Sequence, residues 1–277
     1  MKYRCCKFLQ SENGSVPLMH HPAAERPHGP HALITGGGTG IGAAIAAALA
    51  ARGYRLSLMG RRAAPLERVA AGLPGTAVVT GDVTDIDSVA GAFAAARAVH
   101  GPIDVLVCNA GAAVSARFEK QDFKVWREMM AVNLDALHIC ATEALPDLKA
   151  SVAGRMVVVA STAGLKPYAY AAAYCAAKHG AIGLVRALAL ELARTRVTVN
   201  AVCPGFTETE MAADALRNIM EKTGRSEDDA RAELAKFNPQ GRLVSPAEVA
   251  DAVVWLCAAE SAAINGQAIA VAGGEVM

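Results

Sequence analysis

No excess of either charge marks this chain of 277 residues: Lys and Arg number 27 against 26 Asp and Glu, for a net charge of +1. Such a balance makes no broad field to gather phosphate backbones or anionic lipid, which argues against nucleic acid or a membrane surface as partner. There is no C-x-x-C pair. The seven cysteines (Cys5, Cys6, Cys108, Cys140, Cys175, Cys203, Cys257) are odd in number and scattered, so they read as reduced thiols of a cytoplasmic protein, not as a disulfide frame or zinc knot. Long apolar runs are missing as well. The best approximation, residues 32–51, is uncharged but holds five clustered glycines, which suits a strand, a turn and a helix better than a membrane span. Residues 1–30 have no apolar segment long enough for a secretory signal and read as a flexible tail. His20, His21, His28 and His31 lack helical spacing backed by carboxylates or thiolates, so no metal site is expected and they read as a solvated lead-in.

What is abundant is apolar material, 53% of the residues, enough for a sizeable core. From His31 onward, short β-branched runs alternate with Ala-rich stretches of helical length. That is the pattern of repeated β-α units around a parallel sheet. Strands are expected at 32–35, 55–59, 77–80, 104–108, 155–160, 197–202 and 267–271. Helices are expected at 41–51, 65–71, 86–100, 123–145, 173–194 and 246–258. No linker interrupts the series, so residues 31–277 form one domain: a doubly wound, Rossmann-type α/β fold with seven parallel strands. The exception to the alternation is 206–243, charged and helical in propensity, which follows a strand's carboxyl end and reads as a substrate lid.

Directly after the first strand comes Thr35-Gly36-Gly37-Gly38-Thr39-Gly40-Ile41-Gly42, then an uninterrupted helix former. A glycine turn opening a helix sets bare backbone N–H groups and the positive helix end against a pyrophosphate. At the end of the second strand, where a dinucleotide's adenosine ribose is read, the sequence offers no acid but Arg61 and Arg62. Guanidinium groups match a 2'-phosphate, which favours NADP(H) over NAD(H).

Tyr174 and Lys178 are four residues apart at the start of an expected helix and so share one face. An adjacent ammonium and an oxidised nicotinamide both favour a phenolate, making the pair a general acid/base. The spacing alone is weak evidence, since Tyr3 and Lys7 reproduce it in the tail. Ser161 supplies the context: it stands just past an apolar strand, where a hydroxyl can bind the oxygen of a substrate while tyrosine moves its proton.

Taken in order, T-G-x-x-x-G-I-G, Asn109-Ala110-Gly111, Ser161 and Y-x-x-x-K resemble the short-chain dehydrogenase/reductase family, over about residues 31–277. The resemblance implies a catalytic tetrad of Asn133, Ser161, Tyr174 and Lys178, with Lys178 also holding the nicotinamide ribose and Asn133 anchoring a water in a proton relay. It implies a dinucleotide held by Gly36, Gly38, Thr39, Gly40 and Ile41, adenine contacts at Asp82 and Val83, and a ribose contact around Asn109, Ala110 and Gly111. Carboxamide contacts are implied from the segment Pro204, Gly205, Thr207 and Thr209. Thr207 stands where the family usually has an apolar residue, and Thr39 where NADP-dependent members often have a basic one.

The last stretch of the chain resembles the 3-oxoacyl reductase, acetoacetyl-CoA reductase and polyketide ketoreductase branches. The expected substrate is therefore a 3-oxoacyl or 3-hydroxyacyl thioester of CoA or a carrier protein. The alternatives are a free secondary alcohol, cyclic ketone, sugar or steroid, or, in a different class, a non-catalytic dinucleotide sensor. The resemblance also implies a homotetramer or homodimer built through the two long helices at 123–145 and 173–194.

Overall fold

The computed structural model describes residues 29–277. Seven parallel strands form one sheet in the order β3-β2-β1-β4-β5-β6-β7. They are β1 (His31–Thr35), β2 (Arg55–Gly60), β3 (Ala77–Thr80), β4 (Val105–Cys108), β5 (Arg155–Val159), β6 (Thr198–Pro204) and β7 (Ala268–Val271). The helices are α1 (Gly40–Ala50), α2 (Ala63–Ala71), α3 (Ile86–His100), α4 (Phe123–Met130), α5 (Ala136–Ala150), α6 (Ala172–Glu191), α7 (Glu210–Thr223), α8 (Glu227–Ala235) and α9 (Pro246–Cys257).

The apolar run of β4 shows why the sheet lies between two helical layers. Leu106 and Cys108 join a buried cluster with Phe93 of α3, Leu137 of α5 and Ile182 of α6. Val105 and Val107 face the other way, into a cluster with Ile45 and Leu49 of α1 and Val253 and Leu256 of α9. Successive strand side chains alternate faces, so a strand buried on both sides must be apolar throughout. Each such Leu, Ile or Val contributes about 1.5–3 kcal/mol by leaving water.

Local signals end the helices where they do. Ser245 and Glu248 form a reciprocal capping box at the start of α9, with Pro246 in its first turn. In the 206–243 excursion Thr209 caps α7, Gly224 closes it in the left-handed region, and Ser226 caps α8. The expected lid is therefore a pair of short helices.

Three expectations change. The helix expected at 123–145 runs on to Ala150 and is interrupted by a π-helical turn over Ala131–Asp135, which contains Asn133 and divides it into α4 and α5. His31 is no part of a solvated lead-in: it is fully buried, its ring nitrogens lying 2.9 Å from Ser57 Oγ and 2.9 Å from the Gly101 carbonyl. Burial drives its pKa down to about 4. Helix α6 ends at Glu191, three residues short of the expectation. The expected tail, with Cys5, Cys6, His20, His21 and His28, lies outside the described residues except for Gly29 and Pro30. Among the described residues no helix is long and apolar enough to cross a membrane. Nor does any group of three or more His, Cys, Asp or Glu stand ready to hold a metal ion.

Candidate active site

The chain runs from β1 outward to β2 and β3, then returns to β4 on the other side of β1. This reversal opens a crevice at the strands' carboxyl ends, the usual ligand position in doubly wound sheets. Thr35, the last residue of β1, sews the crevice together: its Oγ1 accepts from the Asn109 N–H at 3.0 Å and the Ala110 N–H at 3.1 Å. Asn109 Nδ2 in turn donates to the carbonyls of Thr35 at 3.0 Å and Gly36 at 3.1 Å.

The glycine turn needs its glycines for two reasons. Gly36 and Gly40 have φ of +66° and +51°, a region that glycine occupies without a Cβ penalty. Gly42 provides clearance, since a Cβ there would lie 2.2 Å from the Gly36 carbonyl oxygen. Gly38 packs on Pro65 and Leu66, and Ile41 packs against the core. Thr39 precedes α1 without a side-chain cap, and no acid occupies the first turn. The leading N–H groups of α1 thus keep their capacity for an anion, and the cradle fits a dinucleotide pyrophosphate.

Arg61 and Arg62 follow β2 and are exposed, without a hydrogen bond or ion pair among the described residues. Asp82 lies near enough to Arg61 to feel its charge. Its carboxyl is held below the ordinary carboxylate range first by the Thr84 N–H, then by the Thr84 hydroxyl, with Arg61 adding to the effect. The Val83 side chain joins the core cluster of Val79 and Val89.

On the other flank, Ser161 follows β5 and caps a single 3₁₀ turn, its Oγ accepting from the Ala163 N–H at 3.1 Å. Its hydroxyl lies near enough to the Tyr174 phenol, in the first turn of α6, to favour the phenolate. Lys178, one turn further on, is 5% exposed. Its Nζ donates to the Val159 carbonyl at 3.1 Å and lies 5.6 Å from the Tyr174 ring centre. Behind it the π turn presents Asn133, whose Nδ2 donates to the Ala112 carbonyl at 2.9 Å and the Met129 carbonyl at 3.0 Å. A Cβ on Gly111 would stand 2.9 Å from Asn133 Oδ1 and 3.6 Å from Lys178 Nζ. The segments after β4 and β5, the π turn and α6 therefore meet at one place.

Burial raises the Tyr174 pKa; the Ser161 hydroxyl pulls it down, and the thiols of Cys175 and Cys203 push it up. The Lys178 ammonium is buried as well. Burial lowers its own pKa to about 8, against small opposing effects of Cys203 and Cys108. The protein by itself keeps a neutral phenol, the form that can donate a proton.

The segment after β6 reaches both flanks. Pro204 ends the strand and the Gly205 N–H donates to the Val271 carbonyl at 3.1 Å. Thr207 is buried and its Oγ1 donates to the Gly205 carbonyl at 2.9 Å; Thr209 donates to the Thr207 carbonyl at 3.2 Å. Thr209 Cγ2 would be 3.1 Å from a Cβ on Gly40, so the base of the lid touches the glycine turn.

Sequence reasoning missed the meeting of Tyr168 and Lys166 with the lid at the mouth of this site. Tyr168, Phe206 and Phe237 form an aromatic trio with ring centres 5.2–6.0 Å apart, and Lys166 lies over the rings of Tyr168 and Phe237. The aromatic in a Pro-containing loop after β5 was the one available signal. Tyr170, in the same loop, has a φ of +65°, which strains a residue with a Cβ. Its carbonyl accepts from the Ala116 N–H at 2.9 Å.

Residues 30–219 match the short chain dehydrogenase family. This chain belongs to that family. It is 38% identical over 251 residues to the granaticin polyketide synthase putative ketoacyl reductase 1 of Streptomyces violaceoruber, covering 88% of this chain and 92% of the relative. Acetoacetyl-CoA reductase of Shinella zoogloeoides is 36% identical over 244 residues, covering 88% of this chain and 97% of that one. Among solved structures, a variant of actinorhodin polyketide ketoreductase with NADPH superposes with a TM-score of 0.86 at 35% identity, covering 89% of this chain and 97% of the other. The chain is thus a nicotinamide-dependent oxidoreductase acting on CH–OH groups, and it interconverts a ketone and an alcohol.

Proposed function

We propose that this chain is an NADP(H)-dependent ketoreductase for a 3-oxoacyl thioester of CoA or a carrier protein, and that Ser161, Tyr174, Lys178 and Asn133 carry the reaction. The observation that carries the reading is the meeting of the Ser161 hydroxyl with a neutral Tyr174 phenol, backed by the buried Lys178. When bound, the dinucleotide supplies the hydride. Ser161 holds the carbonyl oxygen and Tyr174 gives it the phenolic proton, so the ketone becomes a secondary alcohol. Lys178 holds the nicotinamide ribose and favours the phenolate left behind, and Asn133 fixes the backbone beside it. The glycine turn from Gly36 to Ile41 receives the pyrophosphate, with Asp82, Val83, Asn109, Ala110 and Gly111 along the adenosine side and Pro204, Gly205, Thr207 and Thr209 along the nicotinamide. The exposed Arg61 and Arg62 bind the 2'-phosphate.

The names of the relatives support the thioester. We place the protein in the cytoplasm as a homotetramer or homodimer.

The test is a screen at the nicotinamide absorption band with NADPH and NADH against 3-oxoacyl thioesters, cyclic ketones and sugars. Turnover with NADPH and thioesters is expected. Tyr174→Phe should lower kcat about 10²–10⁴-fold, and Arg61→Ala should raise the KM for NADPH about tenfold with little effect on NADH. Binding of NADPH without turnover on any carbonyl would favour the sensor alternative.

A further inference from the structure

We propose that Glu275 is a positioning residue of the substrate site, clamping the lid to the loop that follows Ser161 through Lys166 and Tyr168. The proposal rests on the ketoreductase reading of that site.

Glu275 stands two residues from the end of the chain, yet its side chain is only 1% exposed. Carboxylates are almost never buried unless paired. Both partners of Glu275 come from one distant loop: Lys166 Nζ lies 3.0 Å from Oε1, and the Tyr168 phenol donates to the same oxygen. The Tyr168 hydroxyl also shares a hydrogen bond of 2.7 Å with Thr162 Oγ1, next to Ser161. A single carboxylate thus secures the middle of the loop and, through the phenol, the turn on which Ser161 sits.

The other half of the clamp is the lid. Tyr168 meets Phe206 and Phe237 edge-on, at ring-centre distances of 6.0 Å and 5.6 Å. Phe206 opens the excursion between β6 and α9, and Phe237 follows its second helix. The tail that carries Glu275 is itself docked on the lid's return: a Cβ on Gly273 would lie 1.9 Å from Asn238 Oδ1. On the cofactor side a Cβ on Gly205 would lie 2.8 Å from Glu275 Oε2. Lid, catalytic loop and the strand end beside the nicotinamide site therefore close on one side chain.

Stability alone is a poor reason for this arrangement. Glu275 Oε2 is buried and makes no hydrogen bond among the described residues, a cost of about 1–3 kcal/mol. Replacing a buried ion pair with apolar side chains is often neutral or stabilising. What the pair gives is geometry: the ketone must fit between Ser161 and the lid, and Glu275 sets that distance. The dinucleotide's main hold is the glycine turn across the crevice, none of whose residues hydrogen-bonds Glu275 among the described residues.

The decisive variant is Glu275→Gln, which keeps the side chain's shape while removing its charge. It should raise the KM for the ketone about tenfold and leave kcat within about threefold and the Kd for NADPH within about twofold of wild type. Amide exchange in residues 206–243 of the NADPH-bound protein should quicken. An unchanged KM with unchanged exchange overturns the proposal, as does a fall in Tm accompanied by equal losses in ketone and NADPH binding. Should the wild-type protein reduce no ketone, the ketoreductase reading fails by itself, and the exchange comparison still decides whether the clamp holds the lid.

Discussion

Lys178 and Arg155 are both buried, at 5% and 2% exposure, and neither pairs with a carboxylate among the described residues. They sit near opposite ends of β5. Lys178 reaches the Val159 carbonyl at the carboxyl end, the one side-chain hydrogen bond it makes among the described residues. Arg155, the first residue of the strand, reaches four carbonyls: Gly154 at 2.9 Å, Arg196 at 3.3 Å, and Ala258 and Ala259 at 3.4 Å each. Burial lowers the pKa of both. A guanidinium cannot shed its proton in a protein, so it has to be surrounded by acceptors, and here it also closes off the end of α9. An ammonium left with few acceptors moves toward neutrality instead. The carboxyl end of the sheet is built to change state, and the amino end is built to stay as it is.

Lys178→Met gives the sharpest division between the two ends. It should lower kcat/KM about a thousandfold or more, while Arg155→Met leaves kcat within about twofold; a large fall in kcat for the arginine variant breaks the contrast. Next in size is stability. Arg155→Met takes one donor from each of four carbonyls, three of which keep a backbone N–H (from Thr198, Ser261 and Ala262), and should cost about 1–3 kcal/mol in urea unfolding, independent of pH between 6 and 10.

Lys178 should show the opposite dependence on pH. Its folded pKa of about 8 lies below its ordinary 10.5, so the folded protein releases this proton first as pH rises. Measured against Lys178→Met without added cofactor, wild-type stability is lowest below pH 8 and increases up to pH 10.5, by up to about 3 kcal/mol. A flat difference across that window would show that the ammonium is not held short of solvation. The smallest effect belongs to Thr198→Val, at the start of β6. The buried Thr198 hydroxyl has no hydrogen-bond partner among the described residues, so the variant should be as stable as wild type or up to about 1 kcal/mol more so.

The strands and the catalytic group were legible because their signals are local. An apolar run such as β4 announces a strand buried on both faces, and five glycines in the seven residues that follow β1 leave little else for that turn to do. Tyr174 and Lys178 share a helix face whatever the rest of the chain does. Glu275 was invisible because its partners lie more than a hundred residues away and nothing in its neighbourhood distinguishes it from a solvated acid. His31 was misread for the same reason: Ser57 and Gly101, which accommodate it, become neighbours only once β1 pairs with β2 and β4. The balance at Tyr174 could not be read from spacing either, since it turns on how deeply the phenol and the ammonium are covered.

The π turn before α5 has one more consequence. Each residue advances a helix by about 100°, so an extra residue in one turn shifts the phase of everything after it by that angle. Helices α4 and α5 therefore run on as one rod while pointing different sequence registers inward. Deleting Val132 would let the rod wind evenly, but it would also swing Asn133 off the line that leads to Ala112. The irregularity behaves as a frame shift at the level of side chains, and the site depends on keeping it.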